Sequence, residues 1–172
     1  LYFSFFYDDG SKTPLTEPFY IGGASLGGVG SVSDADRYRQ EVDELLAMDD
    51  QAFVEAVARQ TFDFFWLEAN PENGLIKDRS TADSPASIAS VGFGLAAIPI
   101  GVDRGWITYD EGIARVQTTL ETFLNGGVQG EHGFFFHFVD MQTGEREWES
   151  ELSSIDTALL VAGALVAGQY FE

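Results

Sequence analysis

"SPASIASVGFGLAAIPIGVDRGW", residues 84–106, decides the fold class. From Ile88 onward its residues are small or apolar nearly all round the helical circle. A helix without a polar face predicts burial among other helices, not a place on the surface of a sheet. The flanking segments supply its neighbours. "TYDEGIARVQTTLETFLNGG", residues 108–127, is amphipathic and is stopped by paired glycines. On the other side, a helix starting at Asp49 or Asp50 carries Phe53, Val57, Phe64 and Phe65 at roughly helical spacing and ends before "NPENG". Further out, "SDADRYRQEVDELLAM", residues 33–48, has Ser33 as N-cap with acids in the first turn, which suit the positive end of the helix dipole. A fifth helix starts near Ser153 or Ser154. Buried and amphipathic helices alternate, and hairpins of one inner and one outer helix are the building blocks of a helical toroid. No strict repeat is visible, which argues against a regular solenoid.

Residues 1–32 read differently. "LYFSFFYDDGSKTPLTEPFYIGGASLGGVGS" consists of extended pieces broken by Asp-Gly, two prolines and a glycine cluster. No Gly-Lys-Ser/Thr follows the glycines, so a plain loop is expected, not a phosphate cradle. The expected organisation is an extended, glycine-rich lead-in over 1–32 and the first helices of a toroid over 33–172. Leu1 is not an initiator methionine, and "DTALLVAGALVAGQYFE" runs helical to the last residue without a stop signal, so both ends are expected to be cut.

Composition narrows the function. With 172 residues, 45% of them hydrophobic and 14% aromatic, the chain can bury a core. Its 28 acidic and 9 basic residues give a formal charge of −19, which repels phosphate backbones and excludes nucleic acid as an expected partner. Only Lys12 and Lys77 are lysines, and the acids are spread over the helices. Such a surface suits a salt-loving host, with an ordinary acidic protein as the alternative. Without cysteine there is no disulfide framework, thiolate metal site or cysteine nucleophile. No uninterrupted apolar run reaches the roughly 18 residues of a membrane span, so none is expected.

Four groups of residues carry candidate chemistry. In "NPENGLIKDRS", Asp78 and Arg79 pair a carboxylate with a guanidinium in a loop, where they bind sugar hydroxyls or form a structural ion pair. His132 and His137 match no zinc-motif spacing, and their odd separation points them to opposite faces of a strand, so no metal is expected. Trp148, with Phe134 and Phe136, offers either an apolar platform for a sugar ring or plain core packing. The richest group is "EWESELSSIDTA", in which Glu147, Glu149, Glu151 and Asp156 converge on a helix N-terminus. Glycoside hydrolysis uses two carboxyls, one protonated and one ionised, and these acids can supply one of them. Capping and the helix dipole account for Glu151 and Asp156 equally well.

"GLIKDRS", "ASIASVGFGLAAIPIGVDRGWI" and "GFFFHFVDMQTGER" leading into "SELSSIDTALLVAGAL" occur in an order that resembles the glucoamylase-like glycoside hydrolases, the group containing bacterial endo-β-1,2-glucanases and a domain of cyclic β-1,2-glucan synthases. The likeness covers about residues 50–172. It implies a mainly α chain forming part of an (α/α)6 toroid, with a groove across the end where inner helices begin. It also implies an oligo- or polysaccharide substrate, a β-glucan that the likeness makes β-1,2-linked, no cofactor, and an extracellular or periplasmic place suited to that substrate. Glu151 and Asp156 are then the candidate catalytic residues, and Asp78, Arg79, His137 and Trp148 the candidate substrate-binding residues. A chain over twice this length is implied too, with a general acid beyond Glu172 and no activity in this fragment alone. The rival reading is a non-catalytic carbohydrate-binding or structural domain on the same fold. Around 133–147 a short β-hairpin is expected, with Phe134, Phe136 and Phe138 packed inward and Phe135, His137 and Val139 on the other face, so that His137 looks toward the groove.

Overall fold

The computed structural model describes residues 34–172, so the expected lead-in over 1–32 and the Ser33 cap lie outside the described residues. Five helices follow in order: α1 Asp34–Leu46, α2 Asp50–Leu67, α3 Ile88–Asp103, α4 Tyr109–Leu124 and α5 Ser154–Phe171. The starts of α2, α4 and α5 are set by side chains that accept otherwise unpaired backbone N–H groups. Asp49 accepts from Ala52 N–H at 2.8 Å, and Ser153 accepts from Asp156 N–H at 3.1 Å. Thr108 and Glu111 form a reciprocal capping box at the head of α4.

The apolar helix read from the sequence is the centre of the fold. α3 packs against α2, α4 and, most extensively, α5. Ile88, Val91, Leu95 and Ile98 form its buried stripe, joined by Leu75, Ile76, Val116, Phe136, Val139 and Leu160. Burying each large aliphatic side chain of this kind stabilises the fold by about 1.5 to 3 kcal/mol. α3 and α5 meet backbone to backbone, because Gly92 and Gly163 face each other. A Cβ on Gly163 would lie 2.0 Å from the Gly92 carbonyl oxygen. The amphipathic α2 and α4 flank this pair, giving the inner and outer helices expected of a toroid segment.

One expectation needs qualification. α5 is long and apolar enough, by length and composition, to cross a membrane. In this fold one side of it lies against α3, while Ile155, Val161, Leu165 and Val166 on other sides are exposed.

The short hairpin expected around 133–147 closes where Val139 bridges Arg146 antiparallel across the turn, and further strand pairing surrounds it. Five short strands form: β1 Ala86–Ser87, β2 Gly130–Glu131, β3 Phe134–Phe136, β4 Phe138–Val139 and β5 Leu152–Ser153. β3 pairs antiparallel with β2 and β5, whereas β4 pairs with β1. The chain changes sheets at His137, and that change cancels the period-two alternation. Phe136 and Val139, three apart, are buried, while Phe134 is exposed and Phe138 only partly covered. Phe134, Phe136 and Phe138 therefore do not share an inward face. Phe135 packs instead on Phe123 of α4, ring edge to face, with centroids 5.0 Å apart.

Loops lock this corner in place. Asn70 and Asn73 both donate side-chain amides to the Met141 carbonyl, at 2.8 and 3.0 Å. The tight turn after β4 closes on Asp140, which accepts from the backbone N–H of Thr143 and Gln142. Gly144 turns there with φ of +68°, and its missing Cβ would fall 2.0 Å from the Gly127 carbonyl oxygen.

Candidate active site

His137 stands where the two inner helices begin. Its carbonyl accepts from Ile88 N–H, the first residue of α3, at 3.1 Å. Its own N–H donates at 3.0 Å to the carbonyl of Glu151, three residues before α5. The sheet change that spoiled the alternation thus joins the N-termini of α3 and α5 through one residue. Both positive helix ends face the same place, which favours carboxylates there.

Two carboxylates flank the imidazole. Glu151 Oε1 lies 3.0 Å from Nδ1, and Asp156 Oδ1 lies 3.6 Å from Nε2. The environments of the two acids differ. The Glu151 side chain is 67% exposed, whereas that of Asp156 is 10% exposed. Asp156 also accepts a short hydrogen bond from the Ser153 hydroxyl, the same group that caps α5. Its own backbone N–H, and then the His137 ring, hold the Glu151 carboxyl below the usual carboxylate range. Glu151 is therefore ionised at neutral pH, which makes it a candidate base, nucleophile or hydroxyl acceptor and not a proton donor. With Glu151 ionised, the hydrogen bond to it requires the ring proton on Nδ1. Asp156 at 3.6 Å is then an ion-pair neighbour when His137 also carries a proton on Nε2.

An aromatic row leads away from this cluster. The His137 ring stacks on Phe138 with centroids 3.8 Å apart and planes 17° from parallel. Phe138 meets Trp148 at 5.0 Å, and the Arg79 guanidinium lies 5.5 Å from the Trp148 ring. Arg79 is held by Asp78 through two N–H groups, at 2.8 and 2.5 Å to the same oxygen. The Asp78 backbone is fixed by its N–H donating to the Pro85 carbonyl beside β1. Trp148 is nevertheless 55% exposed. The six candidate catalytic and substrate-binding residues therefore lie along one continuous path: Asp78, Arg79, Trp148, His137, Glu151 and Asp156. Phe134 and Phe136 do not join it.

Two participants escaped the sequence. Strand alternation places Phe138 on a buried face, and only the break at His137 frees it to bridge His137 and Trp148. Arg146 binds the loop carrying Trp148, donating to the carbonyls of Glu149 and Ser150. A single cation inside the acidic run "GEREWESE" was the available signal. Among the described residues no group of three or more His, Cys, Asp or Glu is placed to hold a metal ion.

Comparison with known proteins connects this arrangement to a chemistry. No family model matches the chain. Over 132 residues it is 33% identical to an exo β-1,2-glucooligosaccharide sophorohydrolase (non-reducing end) from Parabacteroides distasonis, a match covering 73% of this chain and 18% of that protein. The chain thus spans less than a fifth of the length of that relative. Among solved structures, a β-1,2-glucanase from Parabacteroides distasonis superposes with a TM-score of 0.65 at 29% identity, over 73% of this chain and 18% of the other. A protein from Bacteroides uniformis, described as a candidate glucoamylase, gives a TM-score of 0.65 at 30% identity over 72% of this chain and 31% of its own. The inner and outer helices, the cluster at the inner-helix starts and these likenesses agree, and over 72 to 73% of its length the chain is similar to the glucoamylase-like glycoside hydrolases.

Proposed function

We propose that this chain forms one wall of the active-site groove of a hydrolase acting on β-1,2-linked glucan. The observation that carries the reading is the meeting of Glu151, His137 and Asp156 at the shared N-terminal end of α3 and α5, beside an exposed tryptophan and a fixed arginine. Sugars are recognised by such combinations. An aromatic face takes the C–H side of the ring, and paired charged groups take the hydroxyls. The relatives named as sophorohydrolase and β-1,2-glucanase support the linkage.

In this reading Trp148 stacks a glucose unit, and Asp78 and Arg79 hold its hydroxyls. Glu151 is the ionised carboxylate at the reacting sugar. Asp156, largely covered and bound to Ser153, works with it through His137, fixing the ring that touches Glu151. A second carboxyl must protonate the leaving oxygen from across the scissile bond. That group is assigned to residues outside this chain, so the 172-residue chain alone is expected to be inactive.

The experiment is Glu151→Gln in the full-length protein, followed by release of reducing sugar from β-1,2-glucan. Turnover should fall by about 10² to 10⁴-fold, the size of a lost proton-transfer group, with little change in melting temperature. Wild-type turnover in this variant removes Glu151 from the reaction. Hydrolysis of β-1,2-glucan by the isolated 172-residue chain contradicts the assignment of the acid to residues elsewhere. A wild-type full-length protein that binds β-1,2-glucan without cleaving it favours the non-catalytic carbohydrate-binding reading.

A further inference from the structure

The loop that carries Trp148 is built against backbone preference. Trp148 and Glu149 are consecutive residues with φ of 54° and 50°. Bulky L-residues rarely adopt this left-handed region, and two in succession persist only where the surroundings hold them. Most non-helical turns of this kind use glycine, as this chain does at Gly74, Gly105, Gly126, Gly133 and Gly144. Here there is no glycine, so the restraint comes from elsewhere.

Arg146 supplies it. Its side chain reaches forward over the turn, donating from Nε to the Ser150 carbonyl at 2.6 Å and from Nη2 to the Glu149 carbonyl at 2.5 Å. The guanidinium carbon lies over the buried Phe136 ring, 4.6 Å from its centre. Both ends of the segment are anchored as well. Arg146 N–H donates to Gln129 Oε1, and the Ser150 hydroxyl is bonded to both the N–H and the C=O of Phe138. The acids on either side, Glu145, Glu147 and Glu149, form no ion pair with Arg146, whose donors go to carbonyls instead. Two carbonyls one residue apart match the forked, planar guanidinium, and a lysine ammonium offers no such fork.

We propose that Arg146 is a positioning residue that locks the left-handed Trp148–Glu149 turn, fixing the Trp148 ring beside Arg79 and Phe138 as a preformed sugar platform and so setting affinity for the glucan. The inference rests on the reading of Trp148 as a sugar-stacking residue. Preforming the loop removes an ordering cost from binding, so the effect belongs in KM and not in the chemical step. The Arg146 charge also lies near enough to favour ionised Glu151. A variant that keeps the charge but loses the fork separates the two influences.

The test is a double-mutant cycle in the full-length protein, with kinetics on β-1,2-glucan for Arg146→Lys, Trp148→Ala and the pair together. Trp148→Ala should raise KM by about tenfold, the scale of one lost ring contact. Arg146→Lys should raise KM severalfold with kcat within about twofold, and should add nothing in the Trp148→Ala background, because both changes remove the same platform. Should the lysine variant not fold, Arg146→Gln takes its place in the cycle with KM as the only readout, because it removes the charge near Glu151 as well as the fork. A raised KM in Trp148→Ala with wild-type KM in the Arg146 variant overturns the positioning role and leaves the platform standing. Additive effects in the pair overturn it too, since Arg146 would then act on something other than Trp148. Wild-type KM in Trp148→Ala overturns the platform reading and the positioning role with it.

Discussion

Gly163→Ala tests whether the contact between α3 and α5 is as close as described. The added methyl would lie 2.0 Å from the Gly92 carbonyl oxygen and 2.7 Å from its carbon, short of ordinary contact at 3.4 Å by about 1.4 Å. Both obstructing atoms are backbone, so no rotamer change relieves the clash and one helix must move. Overpacking of this kind costs about 1 to 3 kcal/mol, and a rigid obstacle belongs at the upper end. Alanine recovers about 0.8 to 1 kcal/mol over glycine inside a helix, leaving a net loss near 2 kcal/mol. Gly168→Ala is the control in the same helix, because a Cβ there meets nothing within 4 Å. It should gain up to about 1 kcal/mol from propensity alone. Followed by far-UV circular dichroism, these changes correspond to melting temperatures lower by about 4 to 8 °C and higher by about 2 to 4 °C. Equal melting temperatures for Gly163→Ala and wild type would refute the backbone contact. The same displacement would also disturb the site, since His137 bonds to the starts of both helices.

Other perturbations separate scaffold from site. Thr108→Ala removes the capping box of α4, far from His137, and should cost about 1 kcal/mol in urea unfolding while turnover of the full-length protein stays at wild type. Asp140 is held below the usual carboxylate range by the N–H groups of Thr143 and then Gln142. A lowered folded pKa means that this stabilisation is complete above the unfolded value and is lost as pH falls through the folded one. Asp140→Asn should therefore flatten the acid limb of a melting-temperature profile below about pH 4, the ordinary carboxylate range, and an unchanged limb contradicts the turn's role. The charge of −19 predicts a melting temperature that rises from low salt to molar potassium chloride, as screening relieves self-repulsion. A flat salt response counts against both the repulsion and the salt-loving host.

The helices were legible because their signals are local. Asp49 and Thr108 precede apolar periodic runs, Gly126 and Gly127 end one, and the near absence of polar residues from Ile88 to Ile100 leaves burial as the outcome. The strands were not, because each is two or three residues long and exists only through a partner far along the chain. β1 meets β4 across 51 residues at Ser87 and Phe138. Alternation presumes one strand in one sheet, and "FFFHFV" serves two. Nothing in the run itself marks His137 as the point of exchange. Arg146 shows the same limit from the other side, since its partners are carbonyls, which carry no residue-type signal.

Asp156 resists the choice between structure and chemistry that its position in the sequence posed. An acid in the first turn of a helix answers a capping box and a reacting group equally well, and here one carboxylate touches both the cap and the imidazole of the proposed site. Oδ2 accepts from the Ser153 hydroxyl that caps α5, and Oδ1 faces the ring nitrogen of His137. The two tasks reinforce each other, because fixing one oxygen on Ser153 fixes where the other points. Glu151 has no such duty, being exposed and anchored by its own backbone N–H and the imidazole. The acids should accordingly fail in different ways. Asp156→Asn should lower stability by about 1 kcal/mol and turnover together, while Glu151→Gln should lower turnover alone. A Ser153→Ala variant sharpens the distinction. It leaves both carboxylates in place but frees Asp156 to rotate, so turnover should drop along with stability, by less than in Asp156→Asn. Wild-type turnover in Ser153→Ala, with the expected loss of stability, would show that the cap and the site share a residue without being coupled through it.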